Sequence, residues 1–191
     1  MDRRELLKMI VAATGAAMIG LPALGQAQPP AATAKALFSD ADVGTLDEVA
    51  ETILPRTKTP GAKDAGAGAF MATFVSDCYT ARQQATFRAG LADISKRAGG
   101  RFDSLAPQAR TALLRALDAE ARKHAVEVSE TGTAEEGEPM PHYFTMFKQL
   151  AIFGFFTSKV GATEVLQYVA VPGRYDGDLA YVPGTPAWGT S

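Results

Sequence analysis

The stretch Tyr143–Gly177 reads YFTMFKQLAIFGFFTSKVGATEVLQYVAVPGRYDG, and its first half decides the fold. It holds five of the ten phenylalanines of the chain, at 144, 147, 153, 155 and 156. From Tyr143 to Phe156 the only clearly polar residues are Thr145, Lys148 and Gln149. A helix apolar on nearly every side must be covered on nearly every side. The run falls short of the roughly 20 apolar residues that a spanning helix needs, and it lies between polar loops, so lipid is a poor cover. Either the rest of the chain surrounds it or a partner does. Burying one phenylalanine contributes roughly 1.5–3 kcal/mol, so five rings are more than a marginally stable domain leaves in water.

The segments before it read as helices able to supply part of that cover. Ser39 is placed to cap a helix, with Asp42 three residues on and Phe38 and Val43 set as a hydrophobic staple. Val43, Leu46, Val49, Ala50, Ile53 and Leu54 then form one stripe, and Pro55 ends it. Residues 55–68 (PRTKTPGAKDAGAG) read as a solvated loop. Arg56, Lys58 and Lys63 would suit a phosphate, but no GxxxxGK[ST] or GxGxxG pattern is present. From Ala69 a stripe of Phe70, Phe74, Val75 and Tyr79 follows, with Cys78 beside it as a small buried hydrophobe or, less simply, a reactive thiol. Ala81 to Ala98 is a further helix with Phe87, Leu91 and Ile94 inward, stopped by Gly99-Gly100. Ser104 is read as the cap of the next helix, with Pro107 as its third residue. Leu113, Leu114, Leu117, Ala121 and Ala125 form its apolar face, and Asp118 and Arg122 an i,i+4 ion pair. Residues 127–141, acidic and rich in Gly, Thr and Pro, read as a mobile surface loop. Pro141 opens the phenylalanine helix and Gly161 breaks it. The fold expected is all-α, one small domain of about five helices with an irregular C-terminal tail, because no alternating run is long enough for a sheet.

Composition narrows the chemistry. The net charge of −2 gives no footing for nucleic acid. A single cysteine excludes an internal disulfide, a CxxC pair and a CxxCH haem attachment. The two histidines, His124 and His142, have no spacing that suggests a metal site. No cofactor site is legible.

Residues 1–27 read as an export signal: a charged start, an apolar run from Met9 to Leu21, then small residues to Ala27. Arg3-Arg4 followed by Leu6-Leu7-Lys8 resembles a twin-arginine signal, although Asp2 stands where Ser or Thr is usual. A general secretory signal or an uncleaved anchor is the competing reading. The twin-arginine route carries folded proteins, and such a signal on a chain with no visible cofactor points to an escort. Residues 28–37 form a loose lead-in and 38–191 the helical domain. In the tail, Pro172-Gly173 and Pro183-Gly184 are turn signals around Arg174, Tyr175, Tyr181 and Trp188. That composition suits either an interface hot spot or a tail folded back on its own helices. Phe153, Phe155, Phe156, Arg174, Tyr175, Tyr181 and Trp188 are therefore the candidate partner surface, and no residue is assigned a catalytic or metal-binding role.

The segments ETILPRTKTPGAKDAGAGAF (51–70), the helix holding Phe144–Phe156, FFTSKVGATEVLQYV (155–169) and the PGRYDG…AW tail resemble the gluconate 2-dehydrogenase subunit 3 family. The resemblance implies a small, non-catalytic subunit of a membrane-associated sugar or sugar-acid dehydrogenase. Its partners would be a large FAD-bearing subunit of the glucose-methanol-choline type and a cytochrome subunit with haem c, while this chain itself holds neither group. It also implies export through the twin-arginine translocase to the periplasm, with the small subunit needed to mature and stabilise the large one. Pro55, Arg56, Thr57, Pro60, Gly61, Asp64, Pro172, Gly173, Arg174 and Tyr175 would then be structural or partner-contacting.

Two rivals remain at this stage. An independent enzyme would have to use Asp64 or Asp176 with Tyr175 or His142 as acid and base, without a nucleophile–base–orienter set. A free-standing periplasmic binding protein would use the aromatic cluster as a ligand pocket.

Overall fold

A helix without a polar face has to sit among other helices, and the phenylalanine helix does. The computed structural model describes residues 37–131, 140–171, 173, 177–178, 180 and 182–189. Among them are five α-helices: α1 (Asp40–Ile53), α2 (Ala67–Cys78), α3 (Ala81–Arg97), α4 (Pro107–Thr131) and α5 (Tyr143–Thr157). A 3-10 turn, Phe102–Ser104, joins α3 to α4, and a π-helical turn, Gly161–Val165, follows α5. The described residues hold no strand beyond one isolated bridge, so the all-α expectation stands. The export signal and the lead-in as far as residue 36 lie outside the described residues.

α5 packs against each of the other four helices, which is why its composition shows no polar face. It buries Phe144, Met146, Phe147, Leu150, Ala151, Gly154 and Phe155. Phe147 is fully buried, its ring centroid 4.2 Å from that of Phe87 on α3. Leu46 and Val49 of α1, Met71 and Val75 of α2, Ile94 of α3, Phe102 of the 3-10 turn and Leu117 of α4 close around them. Polar ties fix the outer helices. Arg97 makes a two-pronged contact with Glu120, at 2.6 and 3.0 Å, joining α3 to α4, and Lys148 pairs with Asp118 to join α5 to α4. Asp118 also takes the expected i,i+4 partner Arg122 at 2.7 Å.

Helix starts follow local chemistry. Ser39 Oγ accepts the Asp42 amide at 3.2 Å while Asp42 Oδ2 accepts the Ser39 amide at 2.9 Å, the reciprocal cap expected from Ser-x-x-Asp. Thr80 and Gln83 make the same arrangement at α3. Pro107 is the first residue of α4, not its third, as suits a residue with no amide hydrogen. Ser104 belongs to the 3-10 turn, where its hydroxyl donates to the Arg101 carbonyl.

Three other sequence expectations change. α4 runs to Thr131, through residues assigned to a loop, and leaves the body before its end: Ala125 and Val126 are exposed. Cys78 is exposed: it is the last residue of α2, where the helix leaves its cover. α2 begins at Ala67 rather than Ala69, and the loop before it, exposed over residues 55–59 as a solvated loop is, is tied down at its base.

Candidate functional site

α5 does not bury all of its aromatic surface. Phe155 is 4 % exposed and lies within the protein, so it drops out of the candidate partner surface. Phe153 is 47 % exposed and Phe156 38 %, and with Ile152 and Gln149 they make an outward stripe at helical spacing. Part of the cover is α2: the Phe153 ring meets Phe70 at 5.6 Å and Phe74 at 5.8 Å, edge to face. Phe74 in turn meets Tyr79 at 5.8 Å, and Tyr79 meets Phe87 at 6.4 Å. A file of rings therefore leads from the half-exposed Phe153 to the core. Burial raises the Tyr79 pKa, in keeping with its place along that file. Edge-to-face pairs add roughly 0.5–1.5 kcal/mol each beyond burial, so these rings are fixed in orientation. The surface is a rigid apolar face on α2 and α5.

Beside it, residues 54–66 form a turn pinned by carboxylates of α1. Glu51 accepts the Arg56 amide at 2.8 Å with one oxygen and the Lys63 amide at 2.9 Å with the other. Asp47 Oδ1 accepts the Gly68 amide at 2.8 Å, and Asp64 Oδ2 accepts the Gly61 amide at 2.7 Å. Lys63 pairs with Glu48, which also takes Arg110 of α4 at 2.5 Å. Ala62 is fully buried beneath. A Cβ on Gly68 would lie 2.5 Å from Asp47 Oδ1, so the glycine there is what lets the carboxylate reach the amide. Thus GAKDAG is a closure motif for the α1–α2 corner. Asp64 is held below the usual carboxylate range, chiefly by its hydrogen bond from Arg56 and then by the Gly61 amide.

The third cluster was not legible from sequence. His124 on α4 and His142 before α5 come together with ring centroids 6.0 Å apart. His142 Nδ1 accepts the Phe144 amide at 3.2 Å and so caps α5, and its ring stacks on Tyr143 at 4.4 Å. The Tyr143 hydroxyl donates to Asp93 Oδ2 at 2.5 Å, and Arg97 Nε donates to the same oxygen at 2.7 Å. Burial pushes the His142 pKa down, with His124 adding to the effect. Burial and the Asp93 carboxylate push the Tyr143 phenol up. Among the described residues no group of three or more His, Cys, Asp or Glu is placed to hold a metal ion.

Of the tail candidates, Arg174, Tyr175 and Tyr181 lie outside the described residues, as do the export-signal residues Arg3, Arg4, Leu6, Leu7 and Lys8. Trp188 is described, and there the tail folds back on the chain. Its backbone returns to the chain after α5, where the Gln167 amide donates to the Ala187 carbonyl at 2.8 Å and the Gly189 amide donates to the Gln167 carbonyl at 2.7 Å. Its side chain remains 56 % exposed.

The sequence profile described as gluconate 2-dehydrogenase subunit 3 matches residues 40–173. The chain belongs to that family. No curated protein and no solved structure is matched. The subunit 3 match opens on the first residue of α1 and takes in all five helices, the pinned α1–α2 corner and the π-helical turn. It stops at Gly173, so Trp188 and most of the tail are additional to the subunit 3 region. Within this subunit 3 chain, the enzyme reading loses two of its four residues to structural duties. Asp64 is tied to Arg56 and Gly61, and His142 Nδ1 is engaged in capping α5.

Proposed function

We propose that this chain is the non-catalytic small subunit of a periplasmic, FAD-dependent sugar or sugar-acid dehydrogenase, docking on the flavin-bearing subunit through the Phe70, Phe74, Ile152, Phe153 and Phe156 face. The observation that carries the reading is the exposure of Phe153 and Phe156, in a chain whose family is named as the third subunit of a complex. Aromatic anchors held rigid before contact lose little freedom on binding, which is how a small interface becomes a tight one. FAD would be carried by the large subunit, of the glucose-methanol-choline type, and haem c by a cytochrome subunit that receives the electrons. The Arg3-Arg4 signal would take the pair through the twin-arginine translocase, the small subunit escorting and stabilising the large one. In the periplasm the complex would lie against the inner membrane. Among the described residues no helix is long and apolar enough to cross a membrane.

The ligand-binding alternative has less behind it. The aromatic rings are packed against one another, and of the two cavities described, one of about 220 Å³ is lined by Leu37, Phe38, Arg88 and neighbours on α3, with no residue of α5.

The test is co-expression of the tagged chain with the flavin subunit, comparing native protein with Phe153→Ser/Phe156→Ser. Loss of the co-purified flavin absorbance in the variant, with its helix content unchanged, is the expected result. Equal recovery of flavin would overturn the assignment of this face. Replacing Arg3 and Arg4 by lysine tests the escort role separately, through dehydrogenase activity in the periplasm.

A further inference from the structure

Three helices bring titratable side chains to the end of the bundle where α5 begins. Asp93 and Arg97 come from α3, Glu120 and His124 from α4, and His142 and Tyr143 open α5. The fixed charges already have partners. Arg97 holds Glu120 with two nitrogens and Asp93 with the third, and Asp93 Oδ2 also accepts the Tyr143 hydroxyl. Lys123 and Glu127, the charged neighbours of His124 along α4, pair with each other at 3.7 Å. The imidazoles are the members whose charge is not fixed, since histidine is the side chain that ordinarily gains or loses a proton between about pH 5 and 8.

The position of His142 suits only the neutral ring. Nδ1 accepts the Phe144 amide at 3.2 Å, which requires a lone pair there. The ring lies on that of Tyr143, with centroids 4.4 Å and planes 29° apart, and Tyr143 is itself fixed by Asp93 and by its seat on Gly90. A proton on Nδ1 would set one N–H against another at the cap. It would also place a positive charge beside the second imidazole, whose ring centroid is 6.0 Å away. Burial opposes that charge most, then His124 and Arg97, while Glu120 and, more weakly, Asp93 favour it. The charged ring is thus pushed from the cap and drawn toward Glu120. There it competes with Arg97, whose contact with Glu120 joins α3 to α4.

We propose that His142, with His124 beside it, is a proton-operated latch at this end of the bundle: one proton turns the His142 ring off the Phe144 amide and toward Glu120, and the first turn of α5 loosens from α4. The rest of α5 stays closed. Phe147, one turn on from Tyr143, is fully buried against Phe87. Phe153 follows His142 by eleven residues, roughly 16 Å at the rise of an α-helix, so the latch works without disturbing the exposed aromatic face. The latch and the docking face are separate features, and either can hold without the other.

The experiment follows amide hydrogen exchange of the full chain by NMR at pH 7.5 and pH 5, with protection taken relative to the unfolded-chain rate at each pH. It compares native protein with His142→Asn and His124→Gln. On acidification, the protection of Phe144 and Thr145 is expected to fall several-fold more than that of Phe147 and Leu150. His142→Asn keeps a capping side chain with no titrating group, so that difference should vanish. His124→Gln removes the opposing imidazole, and the His142 ring resonances should then titrate at a higher pH than in native protein; an unmoved midpoint would remove His124 from the latch. Should all four amides lose protection by one common factor, acid lowers global stability alone and the latch is overturned. It is overturned equally if Phe144 stays protected at pH 5, or if His142→Asn responds to acid as native protein does.

Discussion

Tyr143 of α5 stands where a side chain at Gly90 of α3 would begin: a Cβ on Gly90 would lie 2.7 Å from the Tyr143 Cβ. The first turn of α5 therefore rests directly on the α3 backbone, and the tyrosine hydroxyl reaches on to Asp93. In an isolated helix, Gly to Ala stabilises by about 1 kcal/mol. Here the sign reverses. Gly90→Ala is expected to destabilise the protein by about 1–3 kcal/mol, as overpacked cores do. Urea unfolding of the two proteins decides it, and a gain in stability would contradict the close approach.

The two kinds of phenylalanine on α5 should separate cleanly. Phe147→Ala removes a fully buried ring and is expected to cost about 3–5 kcal/mol. Phe156→Ser removes a ring already 38 % exposed and should cost less, about 1–2 kcal/mol. Its effect should instead appear in association with the flavin subunit. Unfolding curves alongside a pull-down with that subunit give both quantities.

The carboxylates at the α1–α2 corner make a second stability test. Asp47→Ala leaves the Gly68 amide without its partner, in a half-buried site, and is expected to cost about 1–3 kcal/mol. Asp47→Asn keeps an acceptor oxygen and should recover much of that loss. Equal melting temperatures for the two variants would rule out the hydrogen bond as the cause.

His142 gives the fold a dependence on pH. Its folded pKa lies below the ordinary value of 6.5, first because of burial and then because of His124 and Arg97, with Glu120 and Asp93 acting the other way. The unfolded chain therefore takes up the proton first as pH falls. The stability contribution is full above about pH 6.5 and is lost progressively below it, down through the folded pKa. Protonation also removes the lone pair that accepts the Phe144 amide. His142→Asn keeps a capping side chain without a titrating group, so its stability should change less than that of the native protein between pH 7.5 and 5. Parallel denaturation series at the two pH values measure the difference.

Cys78 should behave as a surface thiol. The folded protein is expected to take up one equivalent of a thiol-specific alkylating reagent without denaturant. Modification only after unfolding would place the side chain inside.

Much of this architecture is written in periodicity. The stripe Leu46, Val49, Ala50 and the cap at Ser39 need only local rules, and both appear where those rules put them. The length of α4 was available too, since after Pro107 its run to Thr131 contains neither Gly nor Pro, but its acidic composition pointed to a loop. The division of α5 into covered and exposed rings was not available. A helix apolar all round has no preferred face of its own, so the exposure of Phe153 and burial of Phe155 depend on where α2 places Phe70 and Phe74. The same holds for His124 and His142, whose meeting requires the register of α4 against α5. Nor did the residues of the GAKDAG segment disclose that their amides answer to carboxylates on α1. That knowledge needs the third dimension.

The contact of α5 with all four other helices also has a consequence for biosynthesis. The ribosome makes α1 through α4 first, and none of them can bury its apolar stripe against α5 until the last third of the polypeptide emerges. At about 5–20 residues per second, roughly 5–20 s separate completion of α1 from completion of α5. Through that interval the nascent chain carries apolar surface that α5 later covers, the kind of surface that makes incompletely folded chains prone to aggregation.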